Sequence, residues 1–235
     1  MNRLETIASL IPRYARMVVD VGYDHGQLIA MLVRRRPDIR VIGVERQVGA
    51  AHRFRRYQKL PSEAASRVRL VHGDGFEAIE DEAFDVAVMA GLGERRIVNI
   101  LRTSEGTVLR LKRLIFAPLG NRAILRPYLR ERSWKIIGER LLLEHGRHYP
   151  VFAAQHSERK VNVDLDTWLF GTGLFEQRHP LLPDYLAALA RRLTPVLQHA
   201  ADKSEDLQEF CAKLRPAIDL ARSRCAVTAP TVPPA

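Results

Sequence analysis

Short apolar runs recur along the first 120 residues, and each stops at a glycine, an acidic residue or a proline. Residues 17–21 stop at Gly22, and 41–44 end in Glu45. Residues 68–71 precede His72-Gly73-Asp74-Gly75, 84–89 precede Ala90-Gly91-Leu92-Gly93, and 113–116 precede Ala117-Pro118. Apolar runs of this length without alternation suit strands buried on both faces. Helical stretches lie between them: 27–35, closed before Pro37, then 48–59, 94–110 and 121–131. A shorter amphipathic helix, 4–11, ends at Pro12. Regular alternation of strand and helix predicts a parallel sheet with helices on both faces. Residues 134–144 and 149–154 break the alternation. Joined by a tight turn at His145-Gly146-Arg147, they predict a hairpin that adds an antiparallel ribbon to the sheet edge.

The C-terminal part follows another rhythm. Leu182, Leu186, Leu189, Leu193 and Leu197 recur at spacings of four and three, and Leu207, Phe210, Leu214, Ile218 and Ala221 nearly repeat this. The pattern predicts an antiparallel helical hairpin with a coiled-coil-like seam, turning at 202–205. A mixed linker, 156–172, leads into it. The Pro-, Thr- and Ala-rich tail reads as disordered. The expected division is a Rossmann-like α/β domain over 1–160, a helical hairpin over 161–224 and a tail over 225–235. A length of 235 residues accommodates one full α/β domain and a small appendage.

Charge changes the picture most. The net charge is +10, and of 37 basic residues only six are lysine. A polyanionic partner is the expectation, nucleic acid first, against the plainer reading of a soluble basic surface. Arginine suits bidentate phosphate contact and base stacking. No apolar stretch is long enough to span a bilayer, and the N-terminus has no signal pattern, so a cytoplasmic protein without membrane contact is expected. Cys211 and Cys225 lack metal-ligand spacing, so no metal is expected. A monomer or weak dimer is the expected state.

The segment from Asp20 to Gly26 carries the first chemical signal. Gly22 and Gly26 hold the first and third glycine places of a dinucleotide loop, and Asp24 holds the second. A carboxylate there repels a pyrophosphate but attracts an ammonium or a sulfonium. S-adenosylmethionine (SAM) is therefore favoured over NAD. A simple helix cap by Asp24 is the alternative. Glu45 closes the second strand about twenty residues on, where an acidic side chain takes ribose hydroxyls; a surface pair with Arg46 is the alternative. Asp74, Gly75 and Phe76 stand where SAM enzymes receive the adenine amino group and pack its ring, although Gly-Asp-Gly is also ordinary turn chemistry. The candidate cofactor residues are Asp20, Gly22, Tyr23, Glu45, Arg46, Asp74, Gly75, Phe76, Ala90 and Gly91. Leu92 and Gly93 would face a flat base, and Ala117-Pro118-Leu119 would line the same pocket.

Taken together, these segments resemble the TrmK family of bacterial tRNA adenine-N1 methyltransferases. The resemblance runs through 4–12, Asp20 to Gly26, Gly73-Asp74-Gly75, Ala90 to Gly93, 114–118, the Glu144 to Tyr149 turn and the C-terminal hairpin. It implies a class I SAM-dependent methyltransferase sheet with a terminal hairpin. It also implies methylation of N1 of an adenine in the tRNA D-arm, with the coiled coil helping to hold the tRNA. Departures fall on the substrate side. The family's Gly-Met-Gly-Gly pattern ends here in Glu94, its Gln-Pro-Asn stands as Ala117-Pro118-Leu119, and an acidic pair is reduced to Glu144 before His145. Asn121 is the candidate substitute for the lost amides. Asp24 and His25 are the catalytic candidates. Leu92, Gly93, Pro118, Asn121, Arg53, Arg56, Arg122 and Arg126 are the candidate substrate contacts. Helix 52–59 combines charge with aromatics, with Phe54 assigned to the core. Arg34-Arg35-Arg36, Arg95-Arg96 and the four-spaced Arg122, Arg126 and Arg130 are further basic groups. Two alternatives stand beside the enzyme: a SAM- and RNA-binding protein that has lost methyl transfer, and an NAD-linked oxidoreductase.

Overall fold

In the computed structural model, the described residues are 1–120, 124–158 and 170–198, together with Pro216, Asp219 and Ser223. The chain divides into two compact units, Met1–Val161 and Asn162–Ala235.

The first unit is built on a seven-stranded sheet. Its strands are β1 (Met17–Val21), β2 (Arg40–Glu45), β3 (Val68–His72), β4 (Val86–Gly93), β5 (Arg113–Leu119), β6 (Trp134–Glu144) and β7 (Arg147–His156). The order is β3-β2-β1-β4-β5-β7-β6. The first five are parallel, and β7 runs antiparallel to both β5 and β6. Strand order reverses at β1, which lies between β2 and β4. Open α/β sheets leave a crevice at the carboxyl ends of their strands at such a point. Register keeps those ends level: Val21 pairs with Val44, and Glu45 with His72.

Helices connect the strands. They are α1 (Arg3–Ser9), α2 (Gln27–Arg35), α3 (Ala50–Tyr57), α4 (Ser62–Ala65), α5 (Glu94–Thr103), α6 (Glu105–Leu109) and α7 (Leu125–Glu131). Asn2 caps α1 in a capping box with Glu5. One sheet face buries Val18, Val41, Val86, Val88 and Ile115 against Ile7, Ile29, Leu32 and Phe54 of α1 to α3. The alternate strand positions, such as Val19, Ala87, Met89 and Phe116, are fully buried and point to the opposite face. Phe116 meets Phe152 there at 5.2 Å between ring centroids.

The expected hairpin is present. Its turn is the pair His145 (φ 49°) and Gly146 (φ 72°), the left-handed pair that a tight two-residue turn demands. Several boundaries differ from expectation: β7 runs over Arg147–His156 rather than 149–154, and α3 over Ala50–Tyr57 rather than 48–59. Residues 90–93 are not a loop, because β4 continues to Gly93, with a register shift against β5 between Ala90 and Gly93. The helix expected over 94–110 breaks at Ser104, whose backbone (φ −119°, ψ 33°) leaves the helical region. The helix expected over 121–131 is described from Leu125, and 121–123 lie outside the described residues.

In the second unit, α8 (Thr172–Glu176) precedes α9 (Leu182–Gln198). Leu182, Tyr185, Leu186 and Leu189 are buried at helical spacing, in line with the first half of the expected seam. The side chains of Leu193 and Leu197, the second helix with its Leu207 to Ala221 seam, the turn at 202–205 and the tail lie outside the described residues.

Candidate functional site

The carboxyl ends of β1 to β4 open into a cleft of about 410 Å³. Gly22 and Asp24 come from the loop after β1, Glu45, Arg46 and Gln47 from the end of β2, Asp74 and Gly75 from the loop after β3, Gly91 and Leu92 from β4, and Arg96 and Ile100 from α5. The β1 loop reverses sharply, with Gly22, Asp24 and Gly26 all at positive φ. The Gly22 N–H donates to the Val44 carbonyl at 2.8 Å, tying the loop to β2. Gly26 is the N-cap of α2 and has no side chain to cap it, and the Asp24 carboxylate accepts no backbone N–H of that helix. Asp24 therefore does not cap the helix, and its exposed carboxylate remains at the cleft with His25 Nε2 at 3.5 Å.

Glu45 accepts from the backbone N–H of Gln47 at 2.9 Å and of Asp24 at 3.4 Å. Its partners are thus the backbone of the cleft rim rather than Arg46, which is exposed. Asp74 pairs with the Arg96 guanidinium through Oδ1. Beneath the lining, Asp20 is 4% exposed at the end of β1. Burial, and then the Glu45 charge, push its carboxyl up to about 7. Three carboxylates, Asp24, Glu45 and Asp74, from the ends of three strands thus line the cleft, with Asp20 buried behind them. This suits cationic or hydroxyl-bearing groups and disfavours a pyrophosphate.

Gly22, Asp24, Glu45, Arg46, Asp74, Gly75, Gly91 and Leu92, all expected at the site, share this cleft. Others do not reach it. Tyr23 turns inward, 6% exposed, and meets the Phe54 ring edge-on at 6.4 Å. Phe76 is fully buried and stacks on Phe84 at 5.8 Å, so it packs core rather than an adenine ring. Arg126, expected on an RNA-facing surface, is buried. It pairs with Glu139 at 2.6 Å and lies 4.3 Å over the Phe152 ring. Its partner sits on β6, so helical spacing alone misassigned it to solvent. Arg53 is half-buried, donating to Gln47 Oε1 at 3.0 Å, and stands 3.9 Å from Asp24, whereas Arg56 is exposed. Ala90, Gly93 and Pro118 lie along the adjoining ends of β4 and β5, with Pro118 buried. Asn121 and Arg122 lie outside the described residues.

Glu94, the departure after β4, has a structural role. Its buried carboxylate accepts from the N–H of Ile124 at 3.0 Å and of Leu125 at 3.3 Å, anchoring the start of α7. Sequence reading missed Gln47, Arg96 and Ile100. Arg96 stood only in a basic pair. Its direction follows once β4 is seen to end at Gly93 and α5 to begin beside the cleft. Among the described residues, no cluster of His, Cys, Asp or Glu is arranged to hold a metal ion, and no helix is long and apolar enough to cross a membrane.

The profile of a family described as "Methyltransferase domain" matches residues 1–152. The tRNA (adenine(22)-N(1))-methyltransferase of Bacillus subtilis (strain 168) is 30% identical over 163 residues, 69% of this chain and 68% of that protein. The crystal structure of the B. subtilis m1A22 tRNA methyltransferase TrmK superposes with a TM-score of 0.76 at 23% identity, covering 95% of this chain and 97% of that one. The structure of M. capricolum TrmK in complex with the cofactor product S-adenosylhomocysteine gives 0.75 at 20% identity, covering 94% and 99%. Those two structures establish the fold; the profile and the B. subtilis sequence establish kinship. The chain belongs to the methyltransferase-domain family and, within it, to the TrmK group of tRNA adenine-N1 methyltransferases.

Proposed function

We propose that this protein transfers the methyl group of SAM to N1 of an adenine in the D-arm of tRNA. The observation that carries the proposal is the carboxylate-rimmed cleft at the ends of β1 to β3, opening onto glycines of β4. The named activity of the B. subtilis relative and the cofactor product bound by the M. capricolum structure support it.

The residues present fit SAM. Glu45, held on the β2 end by two backbone N–H groups, presents a fixed acceptor for ribose hydroxyls. Asp74 accepts from the adenine amino group, and Asp20 and Asp24 supply negative charge toward the methionine ammonium. Bound SAM supplies an electrophilic methyl on a sulfonium. Gly91 (φ 72°) and Gly93 have nothing within 4 Å of where a Cβ would stand, so a flat base can approach the β4 backbone. Leu92 and the half-exposed Leu119 flank that approach with apolar surface. The target base is thus held by shape and stacking, since Ala117 and Leu119 offer no edge-reading amides. The protein's work is alignment of the N1 lone pair with the methyl, a proximity effect. Asp24 or His25, at the open side of the loop, accepts the proton the adenine amino group sheds.

Two experiments test this. Calorimetry with S-adenosylhomocysteine and with NAD should give binding only for the former; NAD binding alone would remove the reading. Labelled SAM with unmodified bulk tRNA should yield label in 1-methyladenosine. The absence of amides at 117–119 favours a second reading, a SAM- and RNA-binding protein without transfer. Cofactor binding with no label in tRNA would select it.

A further inference from the structure

The exposed C-terminal end of α3 is used by neither the cleft nor the core. Ala50 and Phe54 are its buried positions. His52, Arg55 and Arg56 are exposed on the other side, and Tyr57, three residues after Phe54 on the same stripe, is exposed where the helix ends, followed by exposed Lys59. Between Glu45 and Glu63 the chain has five arginines and lysines and no acidic residue. Arg34 of α2 reaches the same area, donating to the Lys59 carbonyl at 3.2 Å. Asp24, an acidic group that approaches α3, is met there by His25 and Arg53.

Tyr57 is the informative residue. It is 59% exposed, and Phe54 already supplies the aromatic that the core needs. A lone exposed aromatic is ordinary; the setting of this one is not. The His25 ring meets it edge-on at 5.6 Å, and the Arg56 guanidinium lies 5.7 Å from its centroid. Gln58 Nε2 donates to the His25 carbonyl at 3.0 Å, which ties the helix end to the β1 loop. His25 follows Asp24, which lines the cleft. The aromatic surface is therefore continuous with the cleft mouth, where a polyanion entering the site would pass. An exposed ring bordered by guanidinium and ammonium groups is the arrangement that binds single-stranded nucleotides: the ring stacks a base and the cations take flanking phosphates.

We propose that this exposed end of α3 is an RNA platform, in which Tyr57 stacks a nucleotide near the target adenine and Arg56, Lys59 and Arg34 contact the backbone. The proposal rests on the RNA reading of the site and adds where the RNA lies. It is tested by tRNA binding, followed as fluorescence anisotropy with saturating S-adenosylhomocysteine, on the full chain. Tyr57→Ala should weaken binding about tenfold or more, the loss of one base stack. Tyr57→Phe should stay within about twofold. The double variant Arg56→Gln/Lys59→Gln should lower the slope of log affinity against log salt by about 1 to 2. Calorimetry with S-adenosylhomocysteine should be unchanged in all three variants. Wild-type affinity in Tyr57→Ala overturns the platform while leaving the RNA reading standing. Loss of cofactor affinity in Tyr57→Ala overturns it too, because the ring would then act by holding the cleft loop. A wild-type protein that binds no tRNA overturns both readings.

Discussion

At the scale of single residues, the site is governed by where negative charge is held. Glu45 makes its two bonds to backbone N–H groups, so it is oriented before any ligand arrives. Replacement by alanine should weaken SAM binding roughly tenfold to a hundredfold by calorimetry, the worth of one charge-assisted hydrogen bond at ~1.5–3 kcal/mol. An unchanged dissociation constant would remove Glu45 from the site. Asp20 adds a pH dependence. Its carboxyl, ordinarily near 3.8, is raised to about 7 in the folded protein. The folded state therefore holds a proton that the unfolded chain releases, so stability falls as pH rises from about 4 to about 7 and then levels. An ammonium bound nearby favours the ionised form, so SAM affinity should rise with pH up to about 7. Asp20→Asn should flatten both trends, read by thermal unfolding and calorimetry between pH 5 and 8. Trends that persist in the variant would assign them to another group. Among the described glycines Gly26 leaves least room: at φ 66°, a Cβ there would overlap the Phe54 ring. Gly26→Ala combines left-handed strain with overpacking, about 2–4 kcal/mol together. The melting temperature should drop by at least about 5 °C.

At the scale of elements, Glu94 and Arg126 show how one helix is fixed. Glu94 accepts from the first N–H groups of α7, and Arg126 anchors α7 to β6 through Glu139. Glu94→Ala leaves two donors without their acceptor, a cost of about 1–3 kcal/mol. Hydrogen exchange should accelerate at Ile124 and Leu125 before it does in β4 or β5. Arg126→Ala removes the charge partner of a buried carboxylate, about 3 kcal/mol or more. It should lower the melting temperature. An unchanged melting temperature with weakened tRNA binding would restore Arg126 to the RNA surface.

The strands were legible in sequence because each run is mostly apolar and stops at a residue with a distinct backbone or charge. The hairpin turn was legible because His-Gly supplies two left-handed positions. The limits of β4 and of α5 were not legible. Gly91 and Gly93 look like loop residues, and only pairing with β5 carries the strand past them. The burial of Tyr23, Phe76 and Arg126 was also hidden. It depends on Phe54, Phe84 and Glu139, partners that no local pattern points to. Arg96 was hidden for the converse reason, since its partner Asp74 lies twenty-two residues earlier.

At the scale of the molecule, a net charge of +10 coexists with a cleft rimmed by carboxylates. The acid of the cleft suits the cationic cofactor, and the excess of base over the whole chain suits the polyanionic substrate. Long-range attraction to tRNA should therefore be strongly screened by salt, while cofactor affinity is much less so. A tRNA affinity independent of salt would separate the charge from the function. The most direct test of the central claim is primer extension on unmodified tRNA after incubation with the protein and SAM. A methyl on N1 blocks the pairing edge of adenine, so reverse transcriptase should stop at one D-arm adenine, and only when SAM is present. Full-length extension through the D-arm, from a protein shown to bind both SAM and tRNA, would contradict methyl transfer by this chain.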